Sequence, residues 1–241
     1  MGIAEHKAAI ITVGKPYTTK ALSLMSSNHL NLYFLRHGQT ALSRSNMFCG
    51  SGTDVPLTEI GHEMASLFAE SYRHISWQAI YTSPQTRAIQ TAGYIGKAVG
   101  QQPIIRDALR EIAYGDWEGQ SVEYVNQKYH DDYVRWTADP AWNRPSGGGE
   151  LAVEISDRVM SLIQEIRSGF DSGNVLLVAH KATIRVALCQ LLGIDVGRFR
   201  FRMACAVAGV SVVEFGDHGP YLKMLSERSH LTEEHRNLPG T

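Results

Sequence analysis

Two apolar runs in this sequence finish on the same kind of residue. Leu32–Leu35 leads into Arg36-His37-Gly38, and "NVLLVA" (Asn174–Ala179) leads into His180. Unbroken runs of β-forming residues describe strands buried on both faces. The C-terminal ends of such strands are where open α/β sheets receive ligands. In a parallel sheet both imidazoles emerge at one edge. Between them, "YTSPQTRAIQTA" sets Arg87 one turn into a helix that follows a strand, and "LREIAYGDWEG" puts Glu111 in the loop after the next strand. Topology alone gathers two histidines, two arginines and a carboxylate. Taken singly, each is explained as a polar residue on an exposed loop or helix face; their joint placement at one sheet edge is not.

Several elements must carry these groups. Helical period runs from Leu57 to Tyr72, with Thr58 as N-cap. Trp77–Thr82 reads as a short strand, a helix starts at Ser83-Pro84 and runs to Val99, and Pro103–Ile105 reads as strand. Ser121 to Tyr133 reads as one aromatic-rich helix, Asp139–Glu150 as a Pro/Gly loop, and Ala152–Arg167 as an amphipathic helix. A helix over Thr183–Leu192 follows, then strands over Val207–Phe215 and Tyr221–Leu225 about the turn Gly216-Asp217-His218-Gly219. Strands alternating with helices predict a single α/β domain, its mostly parallel central sheet flanked by helices on both faces.

With 241 residues, 44% of them hydrophobic, the chain suits one domain with a substantial core. A formal net charge of −1 supplies no global field toward nucleic acid or anionic membrane, so neither is an expected partner. Anion binding must come from a local cluster of cations. The cysteines Cys49, Cys189 and Cys205 form no CxxC pair and read as reduced thiols of a cytoplasmic protein. Residues 1–28 read as an N-terminal extension, a loose tail or an extended start, and residues 29–241 as the domain. Ala8–Gly14 is too short to span a bilayer, Lys15-Pro16 cut it off, and Met25 stands just before the first strand.

The chain resembles the histidine phosphatase superfamily, in the branch that holds cofactor-dependent phosphoglycerate mutase and its phosphatase relatives. The motifs that carry the resemblance are "LRHGQT" (Leu35–Thr40), "DVPLTEIG" (Asp54–Gly61), "TSPQTRAIQTA" (Thr82–Ala92), "LREIAYGDWEG" (Leu109–Gly119) and "VAHKATIR" (Val178–Arg185), in the family's order. The resemblance implies that His37 is the nucleophile and forms a phosphohistidine. It implies that Arg36, Arg87 and His180 hold the phosphoryl oxygens, and that Glu111 is general acid and then base. Asp107, Asp116 and Glu118 lie near in sequence and are rival candidates for that acid. Elementary chemistry agrees with these roles. A phosphate monoester carries about −1.5 to −2 charges near neutral pH, and arginine offers it a planar fork that stays charged. Histidine attacks only when neutral, a form that Arg36 and Arg87 beside it favour. Gly38 is expected to let the backbone pass close to the phosphate.

The implied activity is a metal-independent phosphoric monoester hydrolase of the histidine acid type, with no cofactor and a small phosphorylated metabolite as substrate. Sugar phosphates, phosphoserine, α-ribazole phosphate and nucleotides all satisfy that description. A phosphoglycerate mutase would use the same five residues, but only 69 residues separate Glu111 from His180, short for a mutase of this family. A weakly catalytic phospho-ligand binding module is disfavoured by the intact His37, His180 and Glu111 set. A metallohydrolase is disfavoured because no HExxH spacing exists. Two copies of the chain could pair as a homodimer.

This chain also departs from the family's pattern. Leu42-Ser43 replace a Trp-Asn pair, so Ser43 or Asn46 is the substitute phosphate contact. His-Lys181-Ala182 replaces His-Gly-Gly, and Lys181 either faces solvent or adds a cation to the pocket rim. Gln39, Cys49 and Tyr114 complete the candidate substrate contacts. Tyr114, Trp117, Trp136 and Trp142 read as packing residues at least as readily as a substrate platform.

Overall fold

In a computed structural model of the chain, residues 29–238 are described; the extension at residues 1–28 and the features read within it lie outside them. Strand β1 (Leu30–Arg36) leads through the short helix α1 (Ala41–Arg44) to α2 (Glu59–Tyr72) and β2 (Trp77–Thr82). Helix α3 (Thr86–Val99) and β3 (Ile104–Ile105) follow, then α4 (Val122–Lys128) and α5 (His130–Ala138). Helix α6 (Ala152–Gly169), β4 (Gly173–Ala179), α7 (Lys181–Leu191) and α8 (Phe199–Arg202) come next. The hairpin of β5 (Val210–Gly216) and β6 (Gly219–Glu227) precedes a final turn of helix, α9 (Glu233–Arg236).

The six strands form one sheet in the order β3-β2-β4-β1-β5-β6. β3, β2, β4 and β1 run parallel, while β5 and β6 add antiparallel pairs at one edge. β1 and β4 occupy its centre, which is why both are apolar at nearly every position. Alternate side chains divide between two cores. Leu32, Phe34, Val175 and Leu177 pack against α6 and α7 through Ile155, Val159, Ile163, Ile184 and Leu188. Leu35, Leu176 and Val178 pack on the other face against Phe68 of α2 and Ala92 and Ile95 of α3. Burying a side chain of this kind contributes about 1.5–3 kcal/mol, so the two central strands are the firmest part of the sheet.

Thr58 caps α2 as its position suggests, its hydroxyl accepting from the Gly61 amide. α3 begins at Thr86, just past Ser83-Pro84, and α7 begins at Lys181, immediately after His180. Two expectations are corrected. The aromatic segment from Ser121 to Tyr133 is not one helix: the chain leaves helical geometry at Tyr129 (φ −123°, ψ 40°), between α4 and α5. The break redirects α5 so that Trp136 meets Trp117 edge-on at 5.3 Å and joins Phe48 in a separate aromatic cluster. The strand expected from Val207 starts only at Val210. Ala208 instead turns, with φ +52°, and its amide donates to the His37 carbonyl at 3.2 Å, fixing the end of β1.

Candidate active site

The register of the central strands builds the site. Arg36 pairs with Ala179 across β1 and β4, so the next residues, His37 and His180, leave neighbouring strands side by side. Their rings lie 5.1 Å apart between centroids. β2 ends alongside, where the Ser83 amide donates to the Val178 carbonyl.

Hydrogen bonding sets the tautomer of each histidine. His37 Nδ1 lies 2.7 Å from the Gly38 carbonyl, which can only accept. Nδ1 therefore carries the proton and Nε2 keeps the lone pair. His180 Nδ1 lies 3.2 Å from Arg87 Nε, which can only donate, so in His180 the proton sits on Nε2, 2.7 Å from Ser83 Oγ. Both imidazoles are held neutral well below the ordinary histidine range, first by burial and then by the Arg87 guanidinium. Arg36 adds to the effect on His37.

The two arginines differ in what they face. Arg36 Nη1 donates to the Cys205 carbonyl at 2.8 Å, while its Nε is buried without a partner. Arg87 is fully buried, and its NH groups reach the carbonyls of Thr53 (2.9 Å) and Gly50 (3.2 Å) as well as His180. A cavity of about 70 Å³ stands over His37, and Arg36, Glu111 and Lys181 line it with His37. Neither Arg87 nor His180 is among the residues that line this cavity. Both already hold hydrogen bonds, Arg87 to the Gly50 and Thr53 carbonyls and His180 to Ser83.

Of the four neighbouring carboxylates, Glu111 alone reaches the cavity. Helix α7 starts beside it, and the amides of Ala182 and Thr183 donate to its two oxygens at 3.2 Å each. The Ile112 amide also donates to Oε1, so Oε2 has the spare capacity. Glu118 is occupied elsewhere: it accepts from the amides of Gly50, Gly52 and Tyr114 and from the Thr53 hydroxyl, stapling the loop that clasps Arg87. Asp107 pairs with Arg110 at the surface, and Asp116 is exposed beside Gly147.

The remaining candidates separate clearly. Asn46, in the left-handed region at φ +52°, lines the cavity and makes no side-chain hydrogen bond among the described residues. Ser43 also lines it, but its hydroxyl accepts from the Thr40 amide and donates to the Thr40 carbonyl, capping α1. Asn46 is thus the freer of the two. Gln39 is buried away from the cavity and accepts from the Thr58 hydroxyl at 3.1 Å, so it is not placed as a substrate contact. Gly38 answers to a different need from the one expected. A Cβ there would stand 2.4 Å from the Gly61 carbonyl oxygen, so its bareness admits α2 rather than phosphate. Cys49 borders the cavity as a thiol pushed up to about 11, chiefly by burial, hence unreactive near neutral pH. Tyr114 lines the cavity and packs edge-on to Phe48 at 4.9 Å. Trp117 and Trp136 are buried packing residues, and Trp142 is exposed.

Lys181 turns to the pocket, not to solvent: it lines the His37 cavity and sits half-buried on the first turn of α7. The sequence reading missed Ser83, a polar strand end like the two histidines. It also passed over Arg185 and Arg200. Their signals were the four-residue spacing from Lys181 and the basic run Arg198–Arg202. Among the described residues, no three His, Cys, Asp or Glu side chains gather as a metal-binding group, and no helix is long and apolar enough to cross a membrane.

A neutral imidazole lone pair, a cation and a carboxylate around a small cavity at the ends of parallel strands are the groups that phosphoryl transfer calls for. The chain belongs to the histidine phosphatase superfamily (branch 1), whose model matches residues 32–228. The match supports a phosphatase of this branch, whereas the histidine acid type expected from the sequence is the name of a different family. The chain is 30% identical over 204 residues to phosphoserine phosphatase 1 of Hydrogenobacter thermophilus, covering 85% of this chain and 95% of the relative. It is 35% identical over 164 residues to 2,3-bisphosphoglycerate-dependent phosphoglycerate mutase 2 of Gloeobacter violaceus, covering 66% and 74%. The fold matches the crystal structure of the α-ribazole phosphatase of Shigella flexneri with a TM-score of 0.74 at 23% identity, over 84% of this chain and 99% of the other.

Proposed function

We propose that the protein is a phosphomonoesterase that hydrolyses a small phosphorylated metabolite through a phosphohistidine on His37. The observation that carries this reading is the tautomer of His37: with Nδ1 spent on the Gly38 carbonyl, a neutral ring offers its Nε2 lone pair beside Arg36 and Glu111. Nε2 attacks phosphorus, and the bond from phosphorus to the ester oxygen breaks. A proton carried on Glu111 Oε2, the oxygen with capacity to spare, passes to the departing oxygen. Water then attacks the phosphohistidine, Glu111 takes the proton of that water, and the electron pair returns to Nε2 as phosphate leaves. Arg36 offsets charge on the equatorial oxygens in both steps. Asn46 is the substrate contact best placed to stand in for the family's asparagine.

A mutase would transfer the same phosphoryl group back to an alcohol. The similarity to a phosphoglycerate mutase keeps that reading in view, and the short span from Glu111 to His180 favours water as the acceptor. The reading assigns residues 29–241 to one catalytic domain. The free cysteines Cys49, Cys189 and Cys205 suit a reducing, cytoplasmic setting.

A screen of phosphorylated metabolites for release of inorganic phosphate, run in EDTA, tests the proposal. Turnover should persist in chelator, and a brief reaction with labelled substrate should leave acid-labile phosphate on the protein. Loss of turnover on chelation, restored by zinc or magnesium, overturns the phosphohistidine mechanism. Isomerised phosphate ester without release of phosphate selects the mutase.

A further inference from the structure

A second cavity, of about 430 Å³, shares Asn46, Met47, Tyr114 and Lys181 with the cavity at His37, so the two adjoin. Its size falls among sites that enclose whole small-molecule ligands. Arg185 lines it one turn along α7 from Lys181, and Arg200 lines it from α8, its guanidinium 4.2 Å from the Trp136 ring centroid. Resting on the phosphatase reading, we propose that this cavity is the leaving-group subsite, and that Lys181 and Arg185 there bind an anionic group, a carboxylate or a second phosphate, on the alcohol part of the substrate.

The state of the cations argues for it. Several basic side chains elsewhere are matched, Arg158 and Arg110 with Glu150, Arg144 with Glu154 and Arg106 with Glu165, while Arg44, Lys97 and Arg202, which have no such partner among the described residues, are exposed to solvent. Lys181 and Arg185 have no ion pair or side-chain hydrogen bond among the described residues, and the Arg185 Nε is buried without a partner. Like charges four residues apart on a helix repel. A ligand anion between them would satisfy both and relieve the repulsion.

The crowding registers on Lys181, whose ammonium is pulled down to about 8, first by burial and then by Arg36 and Arg185. The rings of Tyr114 and Tyr133 leave the body of the leaving group an apolar surface. A third cavity, of about 370 Å³, lies on another side of Lys181 but shares only that residue with the His37 cavity. It is therefore the less direct continuation from the scissile phosphate.

The test compares kcat/KM for 3-phosphoglycerate, for glycerol 1-phosphate and for a bisphosphate on the same carbon skeleton. The first and third probes differ from the second by a carboxylate and by a phosphate, so together they identify the anion preferred. The wild type should favour at least one anion-bearing ester over glycerol 1-phosphate by tenfold or more, carried mainly in KM. Arg185→Met and Lys181→Met should each shrink that ratio about tenfold, and Arg185→Lys should keep most of it. No preference in the wild type, or a ratio unmoved in both variants, overturns the subsite. Should Arg185→Met fail to fold, Arg185→Gln and Lys181→Met carry the comparison. Turnover of none of the esters by the wild type would count against the phosphatase reading alone. Calorimetric binding of 3-phosphoglycerate and the bisphosphate then decides the subsite: weaker binding of either to the Met variants supports it, and equal binding of both overturns it.

Discussion

The floor of the site and its rim are built on opposite principles. In the floor, most polar groups are spoken for, the Arg36 Nε excepted: His37 on Gly38, His180 between Arg87 and Ser83, Arg87 on the carbonyls of Gly50 and Thr53. At the rim, Lys181, Arg185 and Asn46 line the cavities without side-chain partners among the described residues. A saturated floor fixes tautomers and positions before substrate arrives, which is what preorganised catalysis requires. An unsaturated rim retains binding capacity for whatever the leaving group carries. The difference teaches that chemistry and selectivity here reside in separate layers, and that variants of the two should fail in different ways.

The largest effect belongs to the floor. His37→Ala should lower kcat on the order of 10⁶-fold, as removal of a covalent nucleophile does elsewhere, and abolish acid-labile labelling. Labelling that persists would move the nucleophile to another residue. Glu111→Gln should cost ~10²–10⁴ in kcat on alkyl esters and far less on an aryl phosphate, whose leaving oxygen needs no proton. Equal activity of this variant on both esters would break its assignment as acid.

Stability sharpens the contrast further. Arg87→Met strands carbonyls and His180 in the interior and should cost about 3 kcal/mol in urea unfolding. Lys181→Met removes a partly buried cation that lacks a partner and should change stability by less than about 1 kcal/mol. Similar losses in the two variants would erase the division between floor and rim.

The smallest effects concern pH. Because His37 and His180 are neutral well below the usual value of 6.5, kcat/KM for a neutral-alcohol ester should not fall as pH drops through that range. The unfolded chain does take up protons there, so folding stability should decline below about 6.5 as pH approaches the lowered folded values. Lys181 faces Arg36 of β1, Arg185 of its own helix, Glu111 and Cys205. It loses its charge above about 8, so KM for an anion-bearing ester should rise there while that for a neutral one holds. A parallel rise for both would place Lys181 on the transferred phosphate instead.

The sequence by itself determined the two central strands, the helices on either face and the meeting of His37 with His180. Those follow from periodicity and from chain order at the ends of buried parallel strands, both of which are local patterns. Thr58 was legible as a cap for the same reason. Only the tertiary structure decided the rest. Arg36 finds the Cys205 carbonyl 169 residues away, and Glu118 finds the loop amides of Gly50 and Gly52. That second pairing is what leaves Glu111 as the carboxylate at the cavity. The antiparallel edge, the break at Tyr129 and the inward turn of Lys181 likewise depend on what packs opposite them. Gly38 is the plainest case: spacing marks it as a turn beside a ligand, whereas the constraint on it is the Gly61 carbonyl of a helix that crosses there. Hydrogen-bond partners and steric limits between distant segments leave no periodic trace in the chain, so they become visible only when the segments meet.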